Sequence, residues 1–212
     1  MDINWLGHSC FRIKGKEAVV ITDPCHPDTG YSIKKSNADI VTVSHQHPGH
    51  SYTDAVDNDF KVISSPGEYE MKGVYITGIA SFHDNSEGAE RGKNTVYIIE
   101  LDGVTLCHLG DIGHLPSSRM EEEIGEVGVL FVPVGGISTI DISVASDIVR
   151  SLSPKIVIPM HHKTPKLTRN LDTAENFLKK LGVKETVSQP RLTFNRSTLP
   201  VSTQVVVLDY PQ

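Results

Sequence analysis

Short apolar runs separated by turn residues dominate the first half of the chain. They predict strands at residues 3–6, 10–13, 18–21, 40–43, 61–64 and 74–79. The first three are expected to form an antiparallel meander, with Lys14-Gly15-Lys16 as one of its turns. Residues 52–58 are predicted to form a short helix capped by Ser51 or Thr53. This half is therefore expected to consist mainly of strands.

Strands alternate with helices in the second half. A hairpin is predicted from residues 95–101 and 104–109, because Asp102-Gly103 between them is a strong two-residue turn signal. Further strands are expected at residues 127–134, 155–158, 191–195 and 203–208, and helices at 117–125, 143–152 and 173–181. No linker divides the pattern, so we expect one domain over residues 1–212. The order of elements predicts the α/β class, as a four-layer α/β/β/α sandwich of two sheets covered by outer helices.

Composition and charge indicate which kinds of binding partner and which cellular compartment to expect. The chain is 38% hydrophobic and 22% charged, which is ordinary for a globular protein. A net charge of −6 without a basic stripe argues against a nucleic-acid partner. No apolar run approaches the roughly 20 residues of a membrane span. Cys10, Cys25 and Cys107 are widely spaced, as expected of core thiols in a reducing compartment. We therefore expect a cytoplasmic protein that binds neither nucleic acid nor membrane.

Histidine is the residue type that points to chemistry, with ten in the chain. His45-Gln46-His47-Pro48-Gly49-His50 directly follows the strand predicted at residues 40–43. In an extended chain His45 and His47 point to the same side, and the Pro-Gly turn lets His50 face them. Three more residues each follow another predicted strand, namely His83, Asp111 and His161. Zinc and similar ions prefer neutral imidazole and carboxylate ligands, so these residues predict a metal site.

Several further segments accompany these residues in a fixed order. They are Trp5-Leu6-Gly7-His8-Ser9, Ile21-Thr22-Asp23-Pro24, His108-Leu109-Gly110-Asp111, Pro133-Val134-Gly135-Gly136 and Ile158-Pro159-Met160-His161. Together with H-x-H-x-x-H, this ordered set resembles the metallo-β-lactamase superfamily. The resemblance is to its branch of small bacterial metal-dependent hydrolases, similar to the L-ascorbate-6-phosphate lactonase group, and it runs from about residue 3 to residue 162.

The resemblance implies a role for each candidate residue. It implies a first metal ion on His45, His47 and His83, a second on His50 and His161, Asp111 bridging both, and Asp23 orienting a ligand histidine. The implied reaction is attack by metal-bound hydroxide on an ester-like bond of a small molecule, such as a lactone, an ester or a phosphodiester, with Asp111 and His161 as catalytic residues. One or two Zn²⁺ ions are implied, with Mn²⁺, Fe²⁺ and Ni²⁺ as alternatives. A homo-oligomer is also compatible with the resemblance.

Gly49 departs from the family motif H-x-H-x-D-H, which has an aspartate at this position. That aspartate normally ligates the second metal. Two alternatives therefore stay open. The protein is a hydrolase with a weaker second site, because three protein ligands and an open position suffice for a catalytic zinc, or it is a non-catalytic metal- or ligand-binding relative. A nearby carboxylate, Glu68 or Asp84, could compensate for the missing one.

The remaining histidines have two open interpretations. His8 and His114 are predicted either to contact substrate or donate a proton at the rim of the cleft, or to be hydrogen-bonded structural histidines. His161 is preferred as the ligand over the adjacent His162, because it follows Pro-Met directly.

Competing functions rank lower than hydrolysis. Arg91 and Lys93 follow His83 and could meet an anionic substrate, although such charges are more often simply solvated. A redox function would need an added flavin domain or a sulfur-substrate pocket, and the chain is too short for such a domain. A nuclease function is disfavoured by the acidic charge and by the lack of an additional domain. The sequence does not identify the small-molecule substrate.

Overall fold

Two large β-sheets form the frame of the computed structural model, which describes residues 1–31, 33, 35–184 and 186–210. The strands are, in chain order, β1 (Asp2–Gly7), β2 (Cys10–Lys14), β3 (Val19–Thr22), β4 (Ser36–Asn37), β5 (Ile40–Thr42), β6 (Val56–Asp57), β7 (Lys61–Ile63), β8 (Gly67–Met71), β9 (Val74–Phe82), β10 (Lys93–Leu101), β11 (Val104–His108), β12 (Val129–Pro133), β13 (Ile156–Met160), β14 (Leu192–Thr193) and β15 (Gln204–Val205). The helices are α1 (Ser118–Ile124), α2 (Ile142–Leu152) and α3 (Ala174–Lys180), and 3₁₀ turns occupy Pro27–Thr29, Thr53–Ala55 and Arg196–Thr198.

The first sheet has six strands in the order β14-β1-β2-β3-β5-β7. β1, β2 and β3 pair antiparallel, which confirms the predicted meander. β3, β5 and β7 pair parallel, and every residue of β5 is buried, as expected for an inner parallel strand with an apolar sequence.

The second sheet has seven strands in the order β15-β13-β12-β11-β10-β9-β8. β10 and β11 form the hairpin predicted around Asp102-Gly103. β11, β12, β13 and β15 then run parallel, and this is the part of the chain where strands alternate with helices. β8, which was not predicted, is an edge strand whose charged and aromatic residues Glu68, Tyr69 and Glu70 break the apolar alternation used to find strands.

The main core lies between the two sheets. Phe11 of β2 contacts Phe131 of β12, with ring centroids 4.4 Å apart, so the sheets pack face to face. Along β12 the side chains alternate: Val129 and Phe131 face the other sheet, whereas Leu130 and Val132 face the helices. Burial on both faces explains why this strand is a continuous apolar run. Residues 211 and 212 of the predicted single domain lie outside the described part of the chain, and the single-domain assignment stays a prediction.

The helices cover the outer face of the second sheet. α2 begins at its cap Asp141, whose side chain accepts a hydrogen bond from the backbone N–H of Val144 at 2.9 Å. Ile148 of α2 and Phe177 of α3 are buried against that sheet. The three predicted helices of the second half are confirmed, and the two packed sheets with outer helices agree with the predicted α/β sandwich class.

The outer face of the first sheet is covered differently from the expectation of a helical layer. Within the described residues it carries 3₁₀ turns, loops and the two-stranded β4-β6 ladder, with Ala38 and Val56 packed onto Leu6, Ile21 and Val41. The helix predicted at residues 52–58 is wrong. Thr53–Ala55 makes only one 3₁₀ turn without a side-chain cap, and the β-branched Val56 continues as a strand paired with Ser36.

One edge of the sandwich collects the ends of strands from both sheets. Asp23 follows β3, Ser44 and His45 follow β5, and His83 follows β9. On the same edge lie Asp111 after β11, His161 after β13, and His8 in the turn between β1 and β2. All three cysteines are buried unpaired thiols, as expected. Among the described helices, none is long and apolar enough to cross a membrane.

Candidate metal centre

His45, His47 and His83 form the first group of ligand-type side chains. One ring nitrogen from each lies within 4.8 Å of those of the other two. His45 and His83 are buried, whereas His47 is exposed at the mouth of the site. The ring centroids are 4.6 Å apart for His45 and His47 and 4.8 Å apart for His45 and His83. The predicted same-side placement of His45 and His47 therefore matches this geometry.

His50 and His161 belong to a second group on the other side of Asp111, and His8 is its third member. One ligand-type nitrogen from each of these three buried rings lies within 4.8 Å of the others. The adjacent His162 is turned away: its ring packs on Trp5, with centroids 5.0 Å apart, and its Nδ1 donates to the carbonyl of Lys163. The structure thus places His161, and not His162, in the cluster.

The carboxylate of Asp111 stands between the two groups. Its Oδ2 lies 3.2 Å from Nε2 of both His50 and His161, 3.4 Å from Nε2 of His83 and 3.9 Å from Nε2 of His45. One oxygen atom thus lies near imidazoles of both groups, as the bridging role implied for Asp111 requires.

Asp23 holds two of these histidines from behind. Its Oδ2 accepts a hydrogen bond from Nδ1 of His50 at 2.8 Å and one from the hydroxyl of Ser44 at 2.5 Å. The Ser44 hydroxyl in turn accepts from Nδ1 of His45 at 3.0 Å. In the neutral form of each ring, these contacts keep the proton on Nδ1 and leave Nε2 available as a ligand atom. The expected orienting role of Asp23 agrees with these contacts, while the part of Ser44 was not predicted.

Asp111 is placed by Asn94, another residue that the sequence did not single out. The Oδ1 of Asn94 accepts the backbone N–H of Asp111 at 3.0 Å, and its Nδ2 donates to Ser81 Oγ and to the carbonyl of Leu109. Asn94 is polar and fully buried inside a strand, and that combination is the signal that could have identified it.

Many buried polar atoms of the cluster lack a hydrogen-bond partner. Within the described part of the chain these are both ring nitrogens of His8 and His161, Nε2 of His45, Nδ1 of His83 and Oδ1 of Asp111. Buried polar atoms in native proteins nearly always have a partner, and leaving them without one is costly. Imidazole nitrogens and a carboxylate oxygen are the donor set of Zn²⁺, Mn²⁺, Fe²⁺ and Ni²⁺. The residues present therefore fit one or two divalent cations.

The electrostatics of the cluster favour ligand-competent forms at several positions. Burial, reinforced by the nearby His50, lowers the pKa of His45 to about 3, so this ring is neutral at pH 7. Burial alone would raise the pKa of Asp111, yet His161 and His50 hold it well below its usual range. His50 is the exception, because Asp111 and Asp23 overcome the effect of burial and raise its pKa to about 10. A cation bound between these groups would replace that proton.

His114 lies outside the cluster. Its Nδ1 donates to the carbonyl of Leu115 at 2.9 Å, and its Nε2 accepts the backbone N–H of Phe82 at 3.2 Å. Both ring nitrogens thus make hydrogen bonds to the backbone. This agrees with the interpretation of His114 as a structural histidine. His8 differs, because its ring contacts those of the candidate ligands His50 and His161.

Neither carboxylate considered as a substitute for the missing aspartate serves that role. Asp84 accepts hydrogen bonds from the backbone N–H groups of Ser86, Gly88, Glu90 and Arg91, at 2.7–3.0 Å. Glu68 is exposed on the edge strand β8. The hypothesis that one of them compensates for Gly49 is wrong, because the first is committed to its own loop and the second faces solvent.

A cavity of about 710 Å³ opens beside the first histidine group. His45 and His47 form one of its walls, and Phe82 and Pro66 give it apolar surface. Two cationic side chains, Arg91 and Lys93, also line it, together with Ser64, Ser65 and Ser81. The volume suits a small molecule.

Comparison with known proteins identifies the family. The family model described as the beta-lactamase superfamily domain matches residues 2–161. The chain belongs to the beta-lactamase superfamily. The crystal structure of a Thermotoga maritima protein, described as a proposed Zn-dependent hydrolase of the metallo-β-lactamase superfamily, matches this chain with a TM-score of 0.82. The two sequences are 38% identical, and the match covers 99% of both chains.

Other relatives carry similar names. A UPF0173 metal-dependent hydrolase of Thermococcus kodakarensis is 28% identical over 192 residues, covering 77% of this chain and 85% of the relative. The metallo hydrolase Igni18 from Ignicoccus hospitalis matches in fold, with a TM-score of 0.66 and 21% identity over 92% of this chain and 99% of its own. The names of the Thermotoga maritima and Thermococcus kodakarensis proteins confirm, at the level of the family, the expectation of a metal-dependent hydrolase.

Proposed function

We propose that this superfamily member hydrolyses an ester-like bond in a small molecule, namely an ester, a lactone or a phosphodiester, with one or two divalent cations, zinc first among them. The observation that carries the proposal is the position of Asp111 Oδ2, which lies within 4 Å of four imidazole nitrogens belonging to two separate groups. The names of the relatives support the metal dependence and the reaction class.

The ligands divide between two ions. His45, His47 and His83 would hold the first, His50 and His161 would hold the second, and Asp111 would serve both. When bound, such ions lower the pKa of a water ligand to about 7 and polarise the bond under attack. We assign Asp111 and His161 to catalysis because both lie where the two groups meet. Asp23 and Ser44 keep His50 and His45 in the orientation that ligation requires.

The cavity beside the first group is the proposed substrate site. Arg91 and Lys93 would bind an anionic group of the substrate, such as a carboxylate or phosphate, while Phe82 and Pro66 contact its apolar part. This positive charge in an otherwise acidic chain favours a small anionic ester over a neutral one. The absence of a nucleic-acid partner, the cytoplasmic location and the homo-oligomer stay predictions.

Hydrolysis assays on chelated and reloaded protein test the proposal. The metal-free chain, and the chain loaded with Zn²⁺ or Mn²⁺, are assayed against p-nitrophenyl esters, lactones and bis-p-nitrophenyl phosphate. We expect turnover that chelation abolishes and that zinc or manganese restores. Arg91→Ala is expected to raise KM for anionic substrates with little change for neutral ones. Protein with its metal fully bound that turns over none of the three substrate classes would contradict the proposal.

A further inference from the structure

The space next to Gly49, where the family motif has its aspartate, is occupied by the ring of His8. A Cβ atom built on Gly49 would lie only 2.9 Å from Nε2 of His8 and 3.0 Å from its Cδ2. Both distances are shorter than ordinary carbon contacts allow. A side chain at position 49 would therefore require the His8 ring to leave its present position, and in this chain the ring fills the space beside the glycine.

His8 has the surroundings of a ligand. Its side chain is fully buried, yet neither ring nitrogen has a hydrogen-bond partner among the described residues. Its ring centroid lies 4.2 Å from that of His161 and 5.0 Å from that of His50. A purely structural buried histidine would normally use at least one nitrogen in a hydrogen bond, as His108 does with the carbonyl of Ser9 at 2.9 Å.

The backbone holds His8 firmly in this place. Its carbonyl accepts hydrogen bonds from the indole N–H of Trp5 and from the backbone N–H of His161, each at 3.0 Å. The second bond ties His8 directly to a residue of the second metal group. His8 also has a left-handed φ of +55°, which is unfavourable for a residue with a side chain. Such strain at a site persists when the surrounding structure enforces it, and it is typical of functional positions.

We propose that His8 is a protein ligand of the second metal ion, together with His50, His161 and Asp111, in place of the carboxylate that Gly49 lacks. The inference rests on the proposed two-ion site. It changes the character of that site, because a neutral imidazole in place of an anionic carboxylate makes the net charge of the ion and its ligands more positive by one unit. It also removes the reason for treating Gly49 as the mark of a non-catalytic relative.

The variant His8→Gly removes the ring with little disturbance of the backbone, because glycine accepts the left-handed φ at this position. His8→Asn is a second variant, since asparagine also tolerates this conformation. His162→Ala is the matched control: His162 is buried in the same region, but its ring packs on Trp5 rather than on the metal ligands. Circular dichroism of each metal-free variant verifies the fold.

Metal content and affinity are then measured on the full chain after zinc loading, by elemental analysis and by competition with a chromophoric chelator. We expect two ions in the wild type and in His162→Ala. We expect His8→Gly and His8→Asn to keep the first ion and to bind the second about 100-fold more weakly or not at all. Added imidazole, which can enter the vacated space, is expected to restore the second ion to His8→Gly.

A complementary exchange uses position 49. In the His8→Gly/Gly49→Asp double variant the clash is absent and the carboxylate is restored, so the second ion should bind again. If the double variant binds the second ion no better than His8→Gly does, the proposal that His8 replaces the carboxylate at position 49 is contradicted.

The two proposals can fail separately. If the wild type and His8→Gly both bind two ions with the same affinity, the ligand role of His8 is overturned while the two-ion site stands. If the wild type binds only one ion at saturating zinc, the role of His8 is overturned as well. If the wild type binds none, the metal site itself is wrong and the proposed function falls with it.

Discussion

At the scale of single residues, Asp23 shows how one buried carboxylate is linked by hydrogen bonds to two candidate ligand histidines. It accepts hydrogen bonds from Nδ1 of His50 directly and reaches Nδ1 of His45 through the Ser44 hydroxyl. Burial by itself would raise the pKa of Asp23, but the hydrogen bond from His50 and the surrounding histidines lower it. The carboxylate is therefore ionised and available as an acceptor at neutral pH.

Asp23→Asn is expected to weaken zinc binding by about 10- to 100-fold. The backbone N–H of Ser44 donates to Oδ1 of Asp23, whereas His50 and the Ser44 hydroxyl donate to Oδ2, so an amide with an NH2 group on one side cannot accept all three hydrogen bonds. Chelator competition measures the affinity. Asp28→Asn is the control, since the Asp28 side chain is 90% exposed and outside the cluster. Equal affinities in the two variants would rule out the orienting role of Asp23.

Gly110 is the second residue on which the site depends. It precedes Asp111 with a φ of +58°, and a Cβ atom there would lie 2.4 Å from Oδ1 of Asn94 and 2.6 Å from Cβ of Ser44. Both neighbours belong to the hydrogen-bond network that positions Asp111 and His45. The G-D pair of the motif is thus a requirement of close packing around the carboxylate.

Gly110→Ala is expected to destabilise the protein by about 3 kcal/mol or more, because strain of the left-handed backbone adds to an overpacked contact. Gly73→Ala separates these effects, since Gly73 has a φ of +71° but no atom within 4 Å of the added Cβ. The control should lose only about 1–2 kcal/mol. Urea denaturation of both variants gives the comparison, and similar losses would show that packing at Gly110 contributes nothing.

At the scale of elements, the loop that follows His83 is organised around one carboxylate. Asp84 accepts backbone N–H groups from four residues of the loop, with Oδ1 bound to Ser86 and Gly88 and Oδ2 to Glu90 and Arg91. This loop carries Arg91 to the cavity and anchors the residue after His83. Burial alone would raise the pKa of Asp84, but these hydrogen bonds lower it to about 2.

The depressed pKa of Asp84 predicts the sign of a pH effect. A carboxyl whose pKa is lower in the folded than in the unfolded chain stabilises the fold above about pH 4, its unfolded value, and this stabilisation is lost as pH falls through about 2. The Asp84→Asn variant has no carboxyl group at this position and therefore lacks this stabilisation at every pH. We expect the difference in melting temperature between wild type and Asp84→Asn to be largest above pH 4 and to shrink between pH 4 and 2.

Glu87→Gln serves as the control for the same loop, since Glu87 is exposed and none of the loop hydrogen bonds described above involves its side chain. Melting curves at pH 6, 4, 3 and 2 make the comparison. A difference between wild type and Asp84→Asn that does not change with pH would contradict the assignment.

At the scale of the whole molecule, the site joins the two sheets. Asp23, His45 and His50 follow strands of the first sheet, whereas His83, Asp111 and His161 follow strands of the second. The ligands therefore come together only when both sheets have packed. An ion that binds all of them stabilises the native state relative to the unfolded chain.

Zinc is accordingly expected to raise the melting temperature of the metal-free protein by about 5–10 °C at a free concentration near 100 times Kd, since this corresponds to about 2.7 kcal/mol. Chelation should reverse the shift. Mg²⁺ at the same concentration is the control, because it prefers oxygen ligands and should bind this nitrogen-rich site poorly. Scanning calorimetry measures the melting temperature without metal, with zinc and with Mg²⁺. An unchanged melting temperature with zinc would contradict a site shared by both sheets.

The pattern of the chain alone was sufficient to find most strands, the hairpin and the three helices of the second half, because these depend on local periodicity, turn residues and caps. It failed at residues 52–58 together with their pairing partner β4, and at β8. In the first case pairing of Val56 with Ser36 overrode a weak helical pattern, and in the second a half-exposed edge strand lacks apolar alternation.

The candidate ligands were likewise recognisable from sequence, since His45, His83, Asp111 and His161 all follow strands in an ordered set of motifs. Only the tertiary structure decided which further residues join them. Ser44 carries no local signal of its role, and Asn94 is marked only as a polar residue inside a buried strand. The exchange between Gly49 and His8 depends on a contact between segments far apart in the chain, and such a contact exists only after the strands have assembled into sheets.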